Sequence, residues 1–170
     1  MVEYGILEKK IKDNSFDKCY IFSGVDEALI KTTIDQIVHN NVIDEFKDLN
    51  YIQFDGNTVD IDQLINTCDT IPMMSDRKVV VVYRATFLSD SDDKEQNKKY
   101  EKFSKYIDKI PNHCILILYY IFENDREKLS SKINKLDKRV TISKFDKLRG
   151  ASLEKRVKTF FDIRKKDIGK

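Results

Sequence analysis

The sequence predicts a three-layer α/β domain on a mostly parallel five-stranded sheet, and two observations point to it. Short apolar runs recur along the chain, separated by amphipathic stretches of helical period. Two of the runs, KVVVVYRA (78–85) and CILILYYI (114–121), show no polar alternation at all. Strands of that kind are covered on both faces, as parallel sheets require when their crossover helices lie on the faces.

The elements follow in order. CYIFSG (19–24) is an apolar strand closed by Gly, and DEALIKTTIDQIVHN (26–40) sets Ile30, Ile34, Ile37 and Val38 on one helical face. LNYIQFDG (49–56) reads as a second strand ended by Asp-Gly. DIDQLINTCD (60–69) then places Ile61, Leu64, Ile65 and Cys68 at helical spacing, with Asp60 and Gln63 as a capping pair. After the valine-rich third strand, SDSDDKEQNKK (89–99) reads as a polar loop. The next helix uses Tyr100, Phe103, Ile107 and Ile110 until Pro111 stops it. CILILYYI is the fourth strand, REKLSSKINKLD (126–137) a helix with Leu129, Ile133 and Leu136 on one face, and RVTISKF (139–145) a β-branched fifth strand. Past Leu148-Arg149-Gly150, an appended helix carries Leu153, Val157, Phe160 and Phe161 on one side. We expect a main domain over residues 1–148 and, over 149–170, a helix that begins a second domain of a longer protein.

Composition narrows the function. With 170 residues and 41% hydrophobic content, the chain suits one compact domain, which typically takes roughly 100 to 200 residues. Its 31 Lys and Arg nearly cancel 29 Asp and Glu, so no global field favours nucleic acid or an anionic membrane as an obligatory partner. No run of about 18 apolar residues exists to span a bilayer, and the start MVEYGILEKKIKD is too acidic and broken for a signal peptide. A soluble cytoplasmic protein with no membrane partner is expected. Cys19, Cys68 and Cys114 are odd in number and lie in apolar runs, as small buried hydrophobes of a reducing compartment do. His39 and His113 have no Cys or His neighbour at ligand spacing, so no metal site is expected.

The first strand-to-helix turn, FSGVDEALIKTTI, is where a phosphate loop would sit. Such a loop needs GxxxxGK[ST], because glycines let successive backbone N–H groups wrap the phosphates. Gly24 and Lys31-Thr32 echo that pattern, but the second Gly is absent and Asp26 and Glu27 bring negative charge to the place of the phosphates. The two carboxylates suit a first helical turn, and Lys31 reads as a solvated helix residue. No carboxylate ends VVVVYRAT or ILILYYIF to hold magnesium, no GxSxG elbow occurs, and no Ser-His-Asp or Cys-His grouping has a recognisable local context. Catalysis is disfavoured and no cofactor is expected. The competing reading is a divergent P-loop-type nucleotide-binding enzyme domain that uses the Gly24 to Thr33 turn.

The segment TIPMMSDRKVVVVY (70–83) poses a different question. From the residues alone, Met73 and Met74 read as core filler that closes the preceding helix beneath the sheet edge. Adjacent helical residues point about 100° apart, so one would face the body and the other out. Arg77 and Lys78 read as solvating the turn, with polar rim contacts to a partner as the alternative.

Taken together, IFSGVDEALIKTTIDQI, FDGNTVDIDQLINTCDTIPMMSDRKVVVVYRA, the polar loop, CILILYY, KLDKR and TISKFDKL resemble the N-terminal domain of the delta subunit of bacterial DNA polymerase III, the clamp-loader wrench, from about Tyr20 to Leu148. The resemblance implies an AAA+-like (RecA-like) fold whose phosphate loop has degenerated, in keeping with the defective turn. It also implies recognition of the sliding clamp (the beta subunit), through a hydrophobic pair on a helix of the first domain that enters a clamp pocket. The matching positions here are Met73 and Met74, with Ile71 and Pro72 before them. Many relatives carry leucine and phenylalanine at the pair, and methionine keeps the apolar character. The other clamp-loader subunits are expected to join through C-terminal domains beyond this chain, and DNA is met only indirectly within the complex.

Overall fold

A computed structural model describes residues 2–124 and 126–147. One sheet is formed by β1 (Cys19–Gly24), β2 (Tyr51–Asp55), β3 (Lys78–Tyr83), β4 (Cys114–Ile121) and β5 (Thr141–Phe145), in the order β2-β3-β4-β1-β5. Every neighbouring pair is parallel. The helices among the described residues are α1 (Tyr4–Lys12), α2 (Glu27–Asn41), α3 (Lys47–Asn50), α4 (Ile61–Asp69), α5 (Lys94–Tyr106) and α6 (Ser131–Leu136), none long and apolar enough to cross a membrane.

The strand order dictates the layers. From β1 the chain crosses to the far edge at β2 through α2, then returns by way of α4 to β3 and α5 to β4, and α6 carries it past β1 to β5. Right-handed crossovers that run in opposite directions leave their helices on opposite faces. Accordingly α1 and α2 cover one face, where Leu7, Ile11, Ile30, Ile34 and Ile37 pack on Tyr20, Phe22, Val79, Val81, Ile115 and Ile117. Leu64, Phe103, Tyr106, Ile133 and Leu136 of α4, α5 and α6 pack on Ile21, Val80, Val82, Leu116 and Leu118 across the other. Side chains of one strand alternate between the two clusters, as the two-residue pleat requires. All three cysteines are buried and free in the second cluster, where a hydrogen bond with the Cys114 thiol, followed by burial, pushes the Cys68 thiol up.

Several local readings need correction. Residues 4–12 form a helix that no strong apolar period announces, because only Leu7 and Ile11 of it are buried amid lysines. Lys94–Lys99 belong to α5 rather than to a loop, because the Asp93 carboxylate accepts from the Glu95 N–H and starts the helix there. The helix expected over 126–137 covers only Ser131–Leu136, with Ser130 as its cap, although Leu129 still packs against the core. Leu49 and Asn50 belong to α3, not to β2. Asp60 caps α4 by accepting from the Asp62 N–H. Lys78 does not solvate a turn: it is buried, and its Nζ donates to the Thr67 carbonyl at 2.7 Å, so it finds its partner on the last turns of α4. The expected helix beyond Leu148, and the domain boundary there, lie outside the described residues.

The N-terminal helix is also tied to the edge strand β5 through one carboxylate. Asp17 Oδ2 accepts from Lys10 Nζ and from the Thr141 hydroxyl, both at 2.6 Å, and so joins α1 to β5. Burial works to raise the Asp17 carboxyl, but the bonds from Lys10 and Thr141 outweigh it and hold the group below its ordinary 3.8. A carboxyl depressed in the folded state stabilises the fold above its unfolded value and loses that contribution as pH falls through the folded one. Asp17→Asn is therefore expected to lower Tm at pH 7, and thermal melts in a pH series should show the gap to the parent closing as pH falls below 3.8.

Candidate functional site

Open α/β sheets bind ligands at the carboxyl ends of their strands, beside the strand where the order reverses. Here that strand is β1, and Gly24 closes it with φ of 145°, a conformation glycine adopts freely. A Cβ at this position would collide with the Phe145 carbonyl, so β5 lies hard against the turn. The Phe145 oxygen accepts from the N–H groups of both Val25 and Asp26, at 3.1 and 3.2 Å. Asp26 Oδ1 accepts from the Leu29 N–H at 2.9 Å as the cap of α2. Lys31 pairs with Glu27 at 3.0 Å on the exposed side of the helix, and the Tyr119 hydroxyl donates to the same Glu27 carboxylate at 3.4 Å. Burial and Glu27 push the Tyr119 phenol up to about 12. Three N–H groups at this turn and helix start, those of Val25, Asp26 and Leu29, thus already serve the chain's own oxygens rather than an anion.

The opposite, amino end of the sheet presents apolar surface. Ile71, Met73 and Met74 are 75%, 57% and 71% exposed, and Pro72 is half-buried. The other large exposed hydrophobics among the described residues are Ile6, Ile43 and Leu49, the last two in the connection between α2 and β2. Ile43 lines a shallow cleft with Ser75 and Asp76, and Leu49 precedes Asn50, which is bonded to Met73. Both methionines lie on irregular backbone after α4, not on a helix, so neither is turned inward by the helical 100° rule. Met74 takes φ of 53°, a left-handed conformation that costs a residue with a Cβ about 1 kcal/mol or more.

This segment is held from within. At its start, Thr70 N–H and hydroxyl both reach the Asn66 carbonyl, and the Tyr106 hydroxyl donates to Asp69 Oδ1 at 2.5 Å. In its middle, the buried carboxamide of Asn50 bonds both backbone polar groups of Met73, with Nδ2 to the Met73 carbonyl at 2.7 Å and the Met73 N–H to Oδ1 at 2.8 Å. Near its end, the Ser75 hydroxyl donates to the carbonyls of Arg77 and Asn41. Arg77 reaches Asn41 Oδ1 at 3.4 Å and lies 6.0 Å over the Phe16 ring, so it does not solvate the turn as its charge suggested. The four expected residues, Ile71, Pro72, Met73 and Met74, thus fall together on one constrained segment. Asn50 was not legible as part of it, because its partner is 23 positions away and no local pattern joins the two.

Comparison with known proteins agrees with this architecture. The family model for the DNA polymerase III delta subunit matches residues 20–146. The curated DNA polymerase III subunit delta of Bacillus subtilis (strain 168) is 27% identical over 130 residues, which cover 75% of this chain and 38% of that protein. The solved Bacillus subtilis DNA clamp loader delta protein matches with a TM-score of 0.72 at 24% identity, covering 85% of this chain and 43% of its own. A gamma subunit-related protein of DNA polymerase III from Thermotoga maritima matches with a TM-score of 0.57 at 14% identity, covering 90% of this chain and 49% of that one. These likenesses, with the all-parallel five-stranded sheet, give the fold as AAA+-like. The chain spans less than half the length of each of these relatives. With most of its residues matched by the family model, the chain belongs to the DNA polymerase III delta subunit family.

Proposed function

We propose that this chain binds the sliding clamp (beta subunit) through Ile71, Pro72, Met73 and Met74, and helps open it for loading onto DNA without hydrolysing ATP itself. The observation that carries this reading is the tandem exposure of Met73 and Met74 on a segment whose main chain is bonded to the body of the domain. Two adjacent apolar side chains left in water gain nothing for the fold; buried in a partner's pocket, each would contribute about 1.5 to 3 kcal/mol. Methionine suits an irregular pocket, since its unbranched, polarizable chain adapts to the shape it meets.

The binding energy opens a clamp only through differential affinity. A pair that fits the opened form better than the closed one shifts the clamp toward opening by that difference and no more. The other clamp-loader subunits join through parts of the longer protein beyond this chain, hydrolysis falls to those neighbours, and DNA is met within the assembled complex. The turn at Gly24, with its N–H groups taken by Phe145 and its Lys31 taken by Glu27, is read as a relic of nucleotide binding.

Titrating labelled clamp with Met73→Ala/Met74→Ala protein should reveal at least about a 100-fold loss of affinity, as expected for two hot-spot side chains. Unchanged binding would remove the site from these residues. Calorimetry with magnesium-ATP should give no saturable heat up to millimolar nucleotide; micromolar binding abolished by Lys31→Ala would favour the nucleotide-binding enzyme instead. Met74→Gly relieves the left-handed backbone at an exposed position, so chemical denaturation should find stability unchanged or raised by up to about 1 kcal/mol, while clamp affinity falls.

A further inference from the structure

Between Thr70 and Lys78 the main chain makes no backbone hydrogen bond to the rest of the described residues. The Thr70 N–H closes α4 and the Lys78 N–H reaches the His113 carbonyl, so the two ends are fixed by main-chain bonds, while the residues between them rely on side chains. The side chain at the centre is Asn50. It is fully buried, and it spends both amide hydrogens, one on the Met73 carbonyl at 2.7 Å and one on the Phe46 carbonyl at 3.1 Å. Its oxygen accepts the Met73 N–H at 2.8 Å. One carboxamide therefore grips both polar groups of Met73 much as a neighbouring strand would, just before the amino ends of β2 and β3, where Tyr51 pairs with Val79. The next residue, Met74, sits in the left-handed region, a conformation that persists only when its surroundings over-determine it.

We infer that Asn50 is a positioning residue that holds Met73 and Met74 in the form that docks; the inference rests on the clamp reading for its functional half. Without the carboxamide, Met73 loses both fixed partners, Met74 is free to leave the left-handed region, and binding must then order a segment that the native protein presents already ordered. A purely structural asparagine would act differently, since its loss would weaken α3 and the sheet edge and leave the affinity of folded molecules unchanged.

The experiment has a half that needs no clamp. In native-state hydrogen exchange of the whole chain, the Met73 amide is expected to be protected and to lose that protection in Asn50→Ala, while the amides of Val79 to Val82 keep theirs. Equal protection of Met73 in both proteins overturns the inference. If Asn50→Ala does not fold, Asn50→Leu serves, because it keeps similar bulk and removes the acceptor of the Met73 N–H together with both donors; Met73 protection should fall there too, and unchanged protection again overturns the inference. In clamp titrations at a temperature where the proteins are folded, Asn50→Ala is expected to weaken binding about 10-fold in the parent background and clearly less in a Met73→Ala background. An unchanged affinity, or an equal loss in both backgrounds, overturns the positioning role. A parent chain that binds no clamp at all overturns the clamp reading instead and leaves the exchange result standing.

Discussion

The valine and isoleucine runs of β3 and β4 leave neither face of the sheet fit for water, and the chain answers that demand with a single reversal of direction after β1. Four side chains on one face alone, Val79, Val81, Ile115 and Ile117, are worth about 6 to 12 kcal/mol when buried, comparable to the whole net stability of an ordinary domain. Neither helical layer is therefore dispensable. The same reversal creates two chemically different ends. At the carboxyl end β5 presses its Phe145 carbonyl onto the first turn, and at the amino end the connections into β2 and β3 meet through Asn50 and Met73.

What could be read from the amino acids follows from how local each cause is. The central strands β3 and β4 were legible because an unbroken apolar run is its own evidence of burial on two faces, and the degenerate turn at Gly24 was legible because a missing glycine and two added carboxylates are visible without coordinates. The helix at residues 4–12 was not, because its buried stripe is two residues wide and the rest is lysine-rich. The start of α5 was hidden because several aspartates and serines in SDSDD compete as caps, and only the structure selects Asp93.

The candidate site divides in the same way. Its apolar members were found by resemblance, since a Met-Met pair alone is more often filler than contact. Its supporting members escaped notice because each acts at long range: Lys78 on Thr67, Tyr106 on Asp69, Asn50 on Met73 and Arg77 on Asn41. Charged residues beside a turn invite a solvated reading, and the nearby helix end and carbonyls overturn it. Burial lowers the Lys78 ammonium from its usual range, the cost of placing a cation where the last turns of α4 need a donor.

The grip of Asn50 falls on main-chain atoms alone. It is therefore indifferent to which side chains residues 73 and 74 carry, and the address of the pair is set separately from its chemistry. Drift at these two positions among bulky apolar residues can retune the fit to a partner that is itself drifting, with no compensating change in the scaffold. Two interacting surfaces that must change together over evolutionary time gain room to do so when the frame holding one of them does not have to move.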